Sequence, residues 1–288
     1  MADLFEAGGK RLRPALVLLT AKCGHYDLEK LKPAAMAVEL THAATLVHDD
    51  VIDRSAVRRG RPTVAAAFGD EPAIVIGDFY FAKAYEQAAR SDSTEVVGIL
   101  ARTVMQICAG EVRQQSIRYD YRTEVDEYMQ RIEAKTATLL AACCDIGSVI
   151  AALPTKQRAA LHTYGLMLGL AFQIADDVLD YLGSAGEVGK PIGHDIAEGF
   201  ATLPLMLARE DPDTASKLDR ILSSRRKLTT QEAQNVVELV RGSNAPQQAL
   251  DRARGYASVA QESLGAVTEG EARDALAALT DYVVTRKL

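Results

Sequence analysis

Apolar residues recur three and four positions apart along most of this chain, as in Leu31 to Val47, Glu95 to Val112 and Tyr128 to Ala151. That spacing lays a single stripe along a helix, whereas on a strand it would scatter over both faces. Asn-Gly and Asp-Gly turns are missing from the sequence, so β-hairpins are not expected. The fold class read from this pattern is all-α. Breaks fall at Gly24, at Gly60-Arg61-Pro62, near Gly69 to Pro72, at Leu153-Pro154, through Gly183 to Gly199 and around Gly242 to Pro246, outlining about ten helices. No Pro-rich or Gly/Ser-rich linker divides the 288 residues. One domain spanning residues 1–288 is therefore expected, large enough to bury a substantial core.

Two segments interrupt the apolar pattern in the same way. His48-Asp49-Asp50-Val51-Ile52-Asp53 and Ala175-Asp176-Asp177-Val178-Leu179-Asp180 each place Asp-Asp-x-x-Asp inside a hydrophobic run. On a helix, Asp49 lies one turn from Asp53, and Asp176 one turn from Asp180, so like charges stack on one face. A single copy reads most simply as a solvated helix face. A second copy in an equally apolar setting, where unpaired charge is expensive, points instead to a cation that offsets the repulsion. Oxygen-only ligands suit a hard ion. Mg²⁺ takes one or two carboxylates, keeps several waters and accepts phosphate oxygens.

Basic residues answer the acids. Gly8-Gly9-Lys10-Arg11-Leu12-Arg13-Pro14 sets three cations behind a Gly pair, and Arg58-Arg59-Gly60-Arg61-Pro62 sets three more just past the first acid cluster. Both have the make-up of anion grips, the Arg fork matching phosphate oxygens and Lys supplying a point charge. Lys135 and Thr136 stand inside an apolar helix, Ile132 to Ala142, where they need polar partners that an anionic ligand would supply. Gln173 falls near Asp176 on its helix face, and His42 accompanies Leu40, Ala43 and Leu46 either as a core histidine or as a donor at a pocket. The stretch Gly189-Lys190-Pro191-Ile192-Gly193-His194-Asp195 has the composition of a closing lid, and equally of a passive surface loop.

Other classes recede. A net charge of −6 offers no broad basic face to nucleic acid. The chain lacks the run of roughly 20 apolar residues that a transmembrane span needs and a signal-peptide pattern, so a soluble, cytoplasmic protein is expected. Cys23, Cys108, Cys143 and Cys144 lack zinc-type spacing and are expected as buried, reduced thiols. A Ser/His/Asp triad, a Gly-rich nucleotide loop and a His-Glu-x-x-His motif are all missing.

Taken in order, Gly-Gly-Lys-Arg-Leu-Arg-Pro from Gly8, Leu-Val-His-Asp-Asp-Val-Ile-Asp, Arg-Arg-Gly-Arg-Pro-Thr, Lys-Thr-Ala, Phe-Gln-Ile-Ala-Asp-Asp-Val-Leu-Asp and Thr-Leu-Pro at 202–204 resemble the trans-isoprenyl diphosphate synthases, the polyprenyl synthetase family. The likeness runs from Gly8 to about Pro204 and more weakly beyond. It implies a single-domain antiparallel helix bundle of the isoprenoid synthase type, with the two aspartate motifs across the mouth of a deep central cavity. The resemblance also implies about three Mg²⁺ ions held by Asp49, Asp53 and Asp176, with Asp50, Asp177 and Asp180 in support. Arg58, Lys135, Thr136, Gln173 and Lys190 match positions that hold an allylic diphosphate; Lys10, Arg13, His42 and Arg59 match those that hold isopentenyl diphosphate. The implied reaction is ionisation of the allylic diphosphate, then attack by the isopentenyl double bond on the carbocation. A homodimer is implied as well.

Product length in this family is set one helical turn before the first aspartate motif. Ala44 and Thr45 are small here, so a polyprenyl product longer than farnesyl is expected, with geranylgeranyl diphosphate the alternative; Tyr80, with Phe79 and Phe81, offers another floor. Two departures stand out. Relatives carry Lys two residues before Thr-Leu-Pro, where this chain has Phe200, so Phe200→Lys is expected to lower the Michaelis constant for the allylic substrate. Only Met1 to Ala7 precede Gly8, so the first helix of relatives is expected to be short or missing here. The competing readings are a non-catalytic subunit of a heteromeric synthase, a terpene cyclase, disfavoured by the second grip of Lys10, Arg13, His42 and Arg59, and a cation-binding helical scaffold.

Overall fold

The computed structural model describes residues 11–58, 60–183 and 192–285. Apart from two short strands, every regular element among them is helical, and the chain clusters into two compact units.

Unit 1 comprises Met1–Met105, Leu139–Gly165 and Ser263–Ala277. Its leading elements are α1 (Leu12–Ala21), α2 (Leu28–Ile52), β1 (Val57–Arg58), β2 (Arg61–Pro62), α3 (Val64–Phe68) and α4 (Asp70–Ala89), followed by the start of α5 (Thr94–Ser116). Helix α2 starts where Asp27 caps it, the carboxylate accepting from the backbone N–H of Glu29 and Lys30 at 3.1 and 3.3 Å. It buries Leu31, Ala34, Val38, Ala44 and Val47, and small residues let α4 come close. At Gly77 on α4 a Cβ would collide with the His48 ring, which lies against this backbone with Nε2 at 3.1 Å from the Ile74 carbonyl oxygen. The expectation of no hairpin is corrected here, since β1 and β2 pair antiparallel, Val57 opposite Pro62 and Arg58 opposite Arg61. Arms of two residues are too short to show alternation, and the turn carries Gly60 at φ 74° rather than Asn-Gly.

Unit 2 comprises Gln106–Thr138, Leu166–Glu262 and Ala278–Leu288. It contains α6 (Val125–Ile132), a five-residue π-turn (Glu133–Ala137), the beginning of α7 (Thr138–Ile150) and most of α8 (Thr155–Leu182). Beyond these come α9 (His194–Glu198), α10 (Leu203–Ala208), α11 (Pro212–Ile221), α12 (Thr230–Arg241), α13 (Ala245–Ser263) and the end of α14 (Glu271–Thr285). Its core gathers Tyr128, Ile174, Val178, Tyr181, Leu203, Leu205, Val236, Val240 and Leu250. The helix expected without interruption from Ile132 to Ala142 is corrected as well. Glu133 to Ala137 wind as the π-turn, and a change of winding confined to five residues is too short to show in an apolar periodicity.

All four cysteines are free thiols, but against the expectation of burial Cys108 is exposed and Cys23 only half-buried. Cys143 and Cys144 are fully buried, and burial pushes the Cys143 thiol up to about 12. No helix of the described residues is long and apolar enough to cross a membrane.

Candidate active site

The first acid motif closes α2. A helix presents partial negative charge at its C-terminal end, where basic side chains are normally favourable; the last turn of α2 has none and carries acids instead. Asp50, only 2% exposed, accepts a hydrogen bond from Arg58 Nε at 2.9 Å. The paired Arg58 comes from β1, whose loop is tied back by the Ser55 N–H to the Asp50 carbonyl at 2.9 Å and by the Thr63 hydroxyl to the Ser55 carbonyl at 2.7 Å. Asp49 and Asp53 are half-buried on the same helix end. His42 and Arg13 are also half-buried within unit 1; Lys10 and Arg59 lie outside the described residues. Ala44 and Tyr80 fall in one apolar cluster with Ala43, Val47 and Ala73, and Phe81 packs against it. Phe79 is exposed. Thr45 is not in that cluster; its hydroxyl donates to the His42 carbonyl at 2.8 Å.

The second acid motif closes α8 in the same fashion, again with no basic residue in the last turn. Here the three carboxylates divide their work. Asp176 is exposed. Asp177 is buried and accepts two hydrogen bonds at 2.7 Å, from the Tyr128 hydroxyl and from Gln173 Nε2. Burial, and then the carboxylate of Asp195, push Asp177 well above the usual carboxylate range, while both donors act in the opposite sense. Asp180 accepts the backbone N–H of His194 and Asp195 at 3.1 and 3.0 Å, and so caps α9, whose own first residue offers no side-chain cap.

The π-turn supplies the basic side of unit 2. Thr136 donates to Gln173 Oε1 at 2.7 Å, so Thr136, Gln173, Asp177 and Tyr128 form one hydrogen-bonded chain that fixes the Gln173 amide. Gly169 allows the approach, because a Cβ there would collide with the Ala137 backbone. Lys135 Nζ lies 2.8 Å from Glu111 Oε2 on α5, a pair that an incoming anion would have to exchange. Lys190 falls outside the described residues.

Tyr128 and Glu111 were not among the candidate site residues picked out from the sequence, and Asp195 entered only as the end of the Gly-rich stretch. No local signal could have found Tyr128, which meets Asp177 across 49 positions. Among the described residues no three His, Cys, Asp or Glu side chains form a ready-made cage for a metal. The donors on both helix ends are carboxylate oxygens only, which fits a hard divalent ion and no thiophilic one.

Comparison with known proteins gives a consistent picture. Residues 1–240 match the family described as polyprenyl synthetase. The chain is 36% identical to "Heptaprenyl diphosphate synthase component 2" of Bacillus subtilis (strain 168) over 285 residues, covering 99% of this chain and 81% of that protein. It superposes on a crystal structure of polyprenyl synthase from Caulobacter crescentus CB15, complexed with calcium and isoprenyl diphosphate, with a TM-score of 0.92 and 40% identity, covering 98% of this chain and 87% of that one. A decaprenyl diphosphate synthase from Rhodobacter capsulatus superposes with a TM-score of 0.90 at 35% identity, covering 99% and 88%.

Proposed function

We propose that this chain, which belongs to the polyprenyl synthetase family and is a trans-prenyltransferase, condenses isopentenyl diphosphate with an allylic diphosphate to give a polyprenyl diphosphate longer than farnesyl. The observation that carries the reading is that two long helices each end in acids where basic residues would be favourable, with a buried carboxylate held beneath each set. Relatives whose names specify heptaprenyl and decaprenyl products favour the longer chain.

Asp49, Asp53 and Asp176 would hold Mg²⁺, which when bound supplies positive charge to the departing diphosphate. Asp50 is kept in place by Arg58 and Asp177 by Tyr128 and Gln173, so the ligands beside them sit on helix ends that are braced from below. Lys135, Thr136, Gln173, Arg58 and Lys190 would bind the allylic diphosphate, and Lys10, Arg13, His42 and Arg59 the isopentenyl diphosphate. Ala44 and Tyr80, in one apolar cluster, would line the path of the growing chain and exclude water from the cation. Thr45 bonds its own helix and contributes less. The whole chain acts as one domain, and as a homodimer.

The test is the purified chain with Mg²⁺, isopentenyl diphosphate and a series of allylic primers, products being sized by chromatography. Extension past farnesyl supports the reading. A product of geranylgeranyl length would select the shorter-chain alternative. No incorporation by this chain alone would overturn the reading in favour of a heteromeric subunit, a possibility raised by the word "component" in the name of the Bacillus relative.

A further inference from the structure

The ring of Phe200 has two guanidinium groups beside it. Arg118 Cζ is 5.5 Å from its centroid and Arg131 Cζ 5.8 Å. Each arginine also has a tyrosine ring at 5.3 Å, Tyr119 for Arg118 and Tyr128 for Arg131. Tyr119, Arg118, Phe200, Arg131 and Tyr128 thus alternate aromatic and cation, every neighbouring pair within cation–π range. The backbone on both sides of Phe200 is held by the same residues. The Gly199 carbonyl accepts from the Tyr119 N–H at 2.8 Å, and the Ala201 carbonyl from the buried Arg131 at 2.6 Å. Arg118 grips Glu198 twice, at 2.8 Å through its carbonyl and 2.5 Å through its carboxylate. Gly199 is required twice over, by φ 96° and by the Tyr119 ring that a Cβ would strike. At the far end the Tyr128 hydroxyl reaches Asp177, beside Asp176.

We infer that Phe200 is a positioning residue, the central rung of a cation–aromatic ladder that sets Arg131 and Tyr128 and through them holds the second aspartate motif; the catalytic consequence rests on the synthase reading above. The ladder also reverses the expectation drawn from family resemblance for Phe200→Lys. An ammonium there would face two guanidinium groups at close quarters and would end the aromatic alternation.

The ladder is read without catalysis by NMR of arginine Nε–Hε groups in the ¹⁵N-labelled chain, free of metal and substrate. Phe200→Leu should move the Arg118 and Arg131 signals together as the ring current is lost, and Phe200→Tyr should leave them in place. Calorimetry of Mg²⁺ binding in the presence of inorganic pyrophosphate reads the consequence: affinity should fall roughly tenfold in Phe200→Leu and Phe200→Lys, the usual scale for losing a residue that supports a metal ligand, and Phe200→Tyr should restore it. Tyr128→Phe keeps the ring and loses the hydroxyl, so it should leave the Arg131 signal unmoved and weaken binding by a similar factor. Unmoved arginine signals in Phe200→Leu, or tighter binding in Phe200→Lys, would overturn the inference, as would unchanged affinity in Tyr128→Phe. If the unsubstituted chain transfers no prenyl group while the arginine shifts behave as stated, the proposed function fails and the ladder stands.

Discussion

Replacing Gly110 by Ala tests how tightly the π-turn is seated. Gly110 lies on α5, and a Cβ built there would be 2.6 Å from the Cβ of Ala134, the residue before Lys135. Contacts below 3.0 Å are essentially never seen and ordinary van der Waals contact begins at 3.4 Å. The helix and the π-turn must therefore separate by about 0.8 Å. Overpacking of this kind costs about 1–3 kcal/mol, whereas Ala in place of a helical Gly gains about 1 kcal/mol. The net destabilisation is about 1 kcal/mol, or roughly 2–4 °C in Tm. Function should suffer more than stability. Lys135, paired with Glu111 at 2.8 Å, is carried on the π-turn and moves with it; as the residue proposed to hold the allylic diphosphate, its displacement by almost 1 Å should cost on the order of tenfold to a hundredfold in turnover. Gly255→Ala on α13 is the control. Nothing lies within 4 Å of its added Cβ, so it should gain about 1 kcal/mol. Thermal melts and kcat with an allylic primer decide the matter. A Gly110→Ala protein melting as high as Gly255→Ala, with kcat unchanged, would refute the reasoning.

Three further outcomes are expected. Tyr80→Ala opens the cluster around Ala44 and should lengthen the prenyl product; chromatography showing the same chain length would exclude Tyr80 as a floor. Chelation should abolish turnover and Mg²⁺ restore it, and Asp53→Asn should raise the Mg²⁺ concentration for half-maximal rate by about tenfold or more; a rate indifferent to chelator would remove the ion from the scheme. Glu232 is held at about 2, chiefly by its hydrogen bonds with Arg226 and then by the Thr229 backbone of the cap it shares. Its folded value is lowered from the ordinary range near 4.3, so its stabilisation is complete above that range and fades as pH falls toward 2. Glu232→Gln should flatten that part of the Tm–pH curve, and an identical acid limb in both proteins would count against the pair.

The parts legible in the sequence were those carried by local spacing. Three- and four-residue apolar recurrence marked α2, α5 and α7, and the acid pairs one turn apart marked the ends of α2 and α8. What escaped depends on long-range meetings or on backbone choices too short to alter a periodic pattern. Tyr128 reads as one more core aromatic until Asp177 is found beside it. The π-turn spans five residues, too few to register in an apolar period. Phe200 looks like a lost contact until Arg118 and Arg131 are seen beside it. The β1–β2 hairpin is too brief to leave a periodic trace.

The absence of basic residues from the final turns of α2 and α8 bears on how the apo protein breathes. Carboxylates crowded at the electronegative pole of a helix weaken its terminal amide ladder, and the bracing of Asp50 and Asp177 offsets this only in part, so those turns should still fray before the rest of either rod. A divalent ion held there, as proposed, would do the job a terminal lysine does elsewhere and stiffen the helix tip. Amide exchange near Asp53 and Asp180 should slow on magnesium addition while the opposite ends of both helices exchange as before, and loading the ion would then itself be the last step of folding.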